Sequence, residues 1–219
     1  IGDAVMAIWG APVGDPSHAR SAVSAGLAIS ERMVSARTES VARGEEGFWL
    51  TIGMNSGPAI VGNVGSPSRL AYTVVGETVN LAARFESVPG DYACMIVIGE
   101  GTAKAVDGPH PVCELDLIKV KGKAEPVRIY EPFAAANGAV ADYAAGYARA
   151  LAAYRERRFS RAQQHWLSLH YPGPIDPKRL KADGGVVATP NRVMAARAAA
   201  FIAEPPPEDW GGEWERESN

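Results

Sequence analysis

Apolar and polar positions change period several times along the chain, and each change marks an element. Residues 1–9, IGDAVMAIW, place a tight Gly2-Asp3 turn ahead of an apolar run that reads as a buried strand. From 17 to about 43, Ala19, Val23, Leu27, Met33 and Val34 recur at helical spacing. That face predicts packing on a sheet, with Arg20, Glu31, Arg32 and Arg37 turned to water. Alternation over 48–54, 58–64 and 69–75 predicts three strands, and the turn-rich Gly65-Ser66-Pro67-Ser68 joins the last two as a hairpin. A helix over 77–88, a strand at 94–98, a short helix at 100–106 and strands near 112–120 and 126–131 follow. Strands interleaved with helices predict an α/β or α+β domain.

After Asn137 the texture becomes Ala-rich. Tyr143, Tyr147, Leu151, Tyr154, Phe159, Ala162, Trp166 and Leu169 predict two short antiparallel helices, and a Gly/Pro/Asp-rich loop at 172–190 leads to a third over 191–203. The tail EPPPEDWGGEWERESN is too proline-rich and polar to fold independently. The chain therefore divides into a mixed domain at 1–133, a linker at 134–142, a helical segment at 143–203 and a polar tail at 204–219.

Composition narrows the function classes. With 47% hydrophobic and 21% charged residues the chain can bury a core, and a net charge of -3 gives no reason to expect nucleic acid as a partner. Cys94 and Cys113 are the two cysteines, each in an apolar stretch, which argues against a disulfide framework and for a reducing compartment. No run reaches the roughly 18 apolar residues a membrane span needs, so no membrane contact is expected in this segment, and no basic-then-apolar leader is visible. Ile1 opens inside an apolar run, which predicts that upstream sequence belongs to the same domain.

Three places carry candidate chemistry. Asp3 sits at a turn, where a carboxylate can hold a divalent ion at a sheet edge, or simply bond the turn's own backbone. In GETVNLAAR (76–84), Asn80 and Arg84 are four apart and share a helix face, where both can donate to a phosphate; a solvated helix face is the alternative. In VKGKAEPVRIYE (120–131), Lys121 and Lys123 flank a glycine and can reach polyphosphate from a loop, or form an ordinary charged turn. Neither GxxxxGK[ST] nor GxGxxG occurs, which excludes those two nucleotide-binding routes.

Taken in order, IGDAVMAIWGAP (1–12), IGMNSGPAIVGNVGS (52–66), YTVVGETVNLAARFE (72–86) and VKGKAEPVRIYE (120–131) closely resemble the catalytic domain of class III adenylyl and guanylyl cyclases. The resemblance implies an α+β fold with a ferredoxin-like cyclase sheet and helices, followed here by a small helical segment that resembles a single tetratricopeptide-like hairpin. It implies conversion of ATP to 3′,5′-cyclic AMP and pyrophosphate by a head-to-tail homodimer with sites at the shared interface. Asp3 matches the second of two metal aspartates, for two Mg2+ or Mn2+ ions. Asn80 and Arg84 match the transition-state pair, and Lys121 matches the lysine of the triphosphate tail. Thr73 falls at the purine-selecting position and resembles the adenylyl cyclases that use Thr or Ser there; its hydroxyl both donates and accepts. Glu77 stands where the family usually has Asp, and Ser56 where Thr is common.

The first metal aspartate and the purine-pairing lysine would lie before Ile1, so this chain alone is expected to be inactive. A guanylyl cyclase and a non-catalytic regulatory module are the alternatives. The tail PPPEDW resembles the ends of some bacterial cyclases with membrane sensors, which implies a cytoplasmic location, a membrane-anchored parent and a possible protein partner for the helical hairpin.

Overall fold

A computed structural model describes residues 4–66, 69–106, 108–176, 179 and 188–216, with backbone alone at 65, 66, 69 and 70. The long amphipathic period yields α1 (His18–Ala42), close to the expected bounds, and Ala19 and Val23 are buried as its face predicts. Three strands follow: β1 (Ile52–Met54), β2 (Ile60–Ser66) and β3 (Arg69–Val75). Next come α2 (Glu77–Glu86), α3 (Val88–Tyr92), β4 (Ile96–Gly99) and α4 (Glu100–Ala105). Strands β5 (Val112–Lys119) and β6 (Val127–Pro132) precede α5 (Gly138–Arg155), α6 (Phe159–Leu167), α7 (Pro190–Ala203) and β7 (Trp214–Glu215).

The main sheet has the order β1-β4-β6-β5-β7. β1 runs parallel to β4, β6 is antiparallel to both β4 and β5, and β7 joins β5 in parallel. β2 and β3 form a separate antiparallel ribbon, in which Thr73 stands opposite Gly62. Among the described residues no helix is long and apolar enough to cross a membrane.

Four sequence expectations change. Residues 4–9 form no strand and are open to solvent, with Val5 93% exposed. Among the described residues their backbone has no neighbouring strand to pair with, and an apolar run alone cannot supply one. Arg37, expected to face water, is buried and bonded to Asp176 through Nε–Oδ1 at 2.7 Å, with Nη1 donating to Gly47 O at 3.0 Å. The stretch expected as a linker is helical from Gly138, because Asn137 Oδ1 accepts from Val140 N at 3.0 Å and caps α5. The tail adds a strand to the sheet: Ile118 pairs with Trp214 and Lys119 with Glu215.

One buried cluster runs from Leu81 and Phe85 through β4, β5 and β6 into Tyr143, Tyr147, Leu151, Tyr154 and Trp166 of the C-terminal helices, and on to Met194 of α7. Tyr154 meets Phe159 near the α5–α6 turn and Tyr147 meets Trp166 further from it, the pattern of a helical hairpin. This hairpin lays its aromatic face on the sheet. Edge-to-face ring pairs of this kind add about 0.5–1.5 kcal/mol each beyond area burial.

Glu131 on β6 lies under the hairpin with no solvent contact to speak of, accepting from the Tyr171 hydroxyl, while its Oε2 has no hydrogen-bond partner. Burial raises this carboxyl to about 8, and the Tyr171 hydrogen bond opposes that rise. The surrounding groups are the Tyr143 hydroxyl and the Cys94 and Cys113 thiols, all of which feel its charge. A folded-state value above the unfolded one means that the group's contribution is fully present below pH ~4.5 and is lost as pH rises through ~8. Between those limits stability should fall by up to about 1.4 kcal/mol per pH unit. Glu131→Gln, which is neutral throughout, should flatten that slope when urea midpoints are compared at pH 5, 6.5 and 8. An unchanged slope would assign the pH dependence to another group.

Candidate phosphate site

Helix α2 carries the site, and its placement begins with two glycines. Gly76 has φ +147°, a region that side chains avoid, and its carbonyl accepts from Val79 N and Asn80 N, each at 3.1 Å. Gly53 on β1 lets the helix rest on strand backbone, since a Cβ there would stand 2.2 Å from Glu86 N and 2.5 Å from the Phe85 carbonyl carbon. Thr78 Oγ1 donates to Pro58 O at 2.7 Å, and Asn55 Nδ2 donates to Thr78 O at 3.2 Å. The segment before β2 therefore holds the start of α2 from two sides.

On that helix Leu81 and Phe85 are buried, while Asn80 is exposed and Arg84 is half-buried one turn later. The Arg84 guanidinium rests on the turn between β5 and β6. A Cβ on Gly122 would stand 3.1 Å from its Nη2, and Gly122 itself has φ +78°. Lys123 N donates to Val120 O at 3.1 Å and closes that turn, with Lys121 exposed at its tip. Nη1 of Arg84 is sealed from solvent without a hydrogen-bond partner; Glu77 Oε1, at 3.7 Å, supplies charge but no hydrogen bond. A buried donor left open costs roughly 1–3 kcal/mol.

The structure thus brings Arg84 and the Lys121–Lys123 turn together and puts Asn80 on the same helix face as Arg84. Thr73 lies on β3, half-buried, just before the glycine that opens α2. Asp3 lies outside the described residues. Among the described residues no group of three or more His, Cys, Asp or Glu is placed to hold a metal ion.

A cleft of about 460 Å³ opens on the neighbouring face of α2, lined by Leu81, Phe85, Asn55, Lys123 and Arg128 among others. Asn55 and Arg128 were not singled out from the sequence. Asn55 lies inside the IGMNSGPAI segment, but its contact with α2 is non-local and leaves no periodic signal.

A helix carrying Asn80 and Arg84, a lysine-bearing hairpin beside it and the order of the four sequence segments together describe a nucleotidyl cyclase catalytic domain. Residues 1–130 match the model of the family described as adenylate and guanylate cyclase catalytic domain, and the chain belongs to that family. It is 35% identical over 130 residues to adenylate cyclase 1 of Rhizobium meliloti, covering 59% of this chain and 20% of that protein. It is 34% identical over 139 residues to an adenylate cyclase of Anabaena cylindrica, covering 60% of this chain and 26% of that protein. Of solved structures, the adenylyl cyclase CyaB from P. aeruginosa matches with a TM-score of 0.52 and 32% identity, over 59% of this chain and 66% of that one. The chain thus spans about a quarter or less of the length of these two curated relatives.

Proposed function

We propose that this chain is the nucleotide-handling part of an adenylate cyclase, which converts ATP to 3′,5′-cyclic AMP and pyrophosphate. The observation that carries the reading is the Arg84 guanidinium, seated on the lysine-bearing turn with its side chain 31% exposed. In the reaction the ribose 3′-hydroxyl attacks the α-phosphorus and loses its proton. The bond from that phosphorus to the oxygen bridging to the β-phosphate breaks, and pyrophosphate leaves. Arg84 meets the charge that grows on the α-phosphate oxygens, and Asn80 orients the ribose. Lys121 holds the triphosphate tail and then the leaving pyrophosphate. Thr73 contacts the purine through its hydroxyl.

Divalent ions, Mg2+ or Mn2+, enter this reading through Asp3, and their share of the chemistry falls to no described residue. We also read the active form as a homodimer with sites shared between copies, in the cytoplasm, where the free thiols of Cys94 and Cys113 stay reduced. The helical segment is a cap on the domain in this reading, since its aromatic face is already buried against the sheet.

The test is product formation by the full-length protein supplied with ATP or GTP in parallel. Cyclic AMP from ATP, with kcat/KM at least about tenfold above that for GTP, is expected; tenfold corresponds to about 1.4 kcal/mol of discrimination. A preference for GTP would replace the reading by guanylate cyclase, and no cyclic product from either would leave a non-catalytic module.

A further inference from the structure

Arg216, one residue past β7, reaches across to the far end of α2. Its Nη1 donates to Ser87 Oγ at 2.9 Å and its Nη2 to Ser87 O at 3.2 Å, while Nε pairs with Asp91. Ser87 Oγ in turn donates to the Arg84 carbonyl at 3.2 Å. Three groups in line thus connect the tail to the backbone of Arg84. A cation at this position also complements the negative end of the helix dipole.

The same stretch of tail holds the other half of the phosphate site. Trp214 and Glu215 pair with Ile118 and Lys119, the last residues of β5 before the Lys121–Lys123 turn. Glu213 Oε1 lies 3.0 Å from Lys119 Nζ. Residues 213–216 therefore grip the base of the hairpin that carries Lys121 and the end of the helix that carries Arg84. Arg197 Nη1, from α7, pairs with Asp116 on the same strand β5.

We propose that the tail is a clamp that sets the separation of Arg84 and Lys121, with Arg216 as a positioning residue acting through Ser87. This rests on the phosphate-site reading above. The clamp is suited to adjustment rather than to bulk stability. The Arg216 and Asp91 side chains are 27% and 40% exposed, and exposed ion pairs contribute little to folding. Small displacements at a phosphate site nonetheless cost disproportionately in binding and rate.

The experiment compares the wild-type chain with Arg216→Ala, Arg216→Lys and Arg84→Ala, using inorganic tripolyphosphate as the probe. Calorimetry reads affinity, hydrogen exchange reads residues 119–125, and thermal melting reads stability. Arg216→Ala should weaken tripolyphosphate binding roughly threefold to fivefold, as loss of an exposed charged contact implies. It should speed exchange at 119–125 and leave the melting temperature nearly unchanged. Arg216→Lys, which keeps the cation at the helix end, should recover part of the affinity. Wild-type affinity in Arg216→Ala, unchanged exchange at 119–125, or a uniform rise in exchange with a lowered melting temperature would each overturn the clamp. If instead wild type and Arg84→Ala bind equally or not at all, the phosphate-site reading fails. In that case the exchange data alone decide whether tail and hairpin are coupled.

Discussion

Arg197→Ala is expected to lower the stability of this chain by about 3–5 kcal/mol, because it removes one partner of a buried ion pair and leaves the other uncompensated. Asp116 is fully buried on β5, where a register shift between Glu114 and Asp116 interrupts the pairing with β6. Its Oδ2 accepts from Tyr92 Oη at 2.6 Å and pairs with Arg197 Nη1, and its Oδ1 accepts from Leu117 N at 2.8 Å. The Arg197 guanidinium also lies over the Trp214 ring, with Cζ at 3.9 Å from its centre. Truncation therefore strands a carboxylate and opens a gap between α7, β5 and β7. The measurement is the urea midpoint of the variant beside that of wild type. Replacing both partners with apolar residues of similar volume should cost much less than Arg197→Ala alone, since no buried charge then remains. A loss below about 1 kcal/mol for Arg197→Ala would place this pair among the weak surface bridges.

Arg84→Ala is expected to lower the turnover of the full-length protein by roughly 10²–10³, or about 3–4 kcal/mol, the typical cost of removing one preorganised donor from a developing oxyanion. The variant should fold normally. Arg84 is 31% exposed at its side chain, and its ion pair, to Glu77 at 3.7 Å, makes no hydrogen bond. If Arg84 acts on the transition state, kcat should fall with kcat/KM while KM changes little. Turnover within a few-fold of wild type would remove Arg84 from the chemistry. A loss confined to KM would make it a ground-state anchor for phosphate.

The two variants probe parts of the molecule that were unequally legible in the sequence. Asn80 and Arg84 were readable because their spacing places them on one helix face, a local fact that survives any tertiary arrangement. The bounds of α1, α4 and α7 were readable for the same reason, each within a few residues. The segment 4–9 was not: its apolar run fits a buried strand, whereas strand formation depends on a neighbour supplied from elsewhere. Arg37 was misassigned because a periodic pattern cannot anticipate an acid such as Asp176 arriving from the loop after α6.

The proposed phosphate site divides along the same line. By itself the chain determined its family through four ordered segments, the donors Asn80, Arg84 and Lys121, and the glycines that allow tight turns at 76 and 122. Only the tertiary structure decided that the Arg84 guanidinium rests on Gly122 with one donor open, and that the helices after β6 share the cyclase core. It also decided that an apparently unstructured tail closes the sheet as β7 and reaches Arg84 through Ser87. Local spacing is a property of consecutive residues, whereas these contacts join groups far apart in the chain. They hold only because burial of a common core brings those groups together.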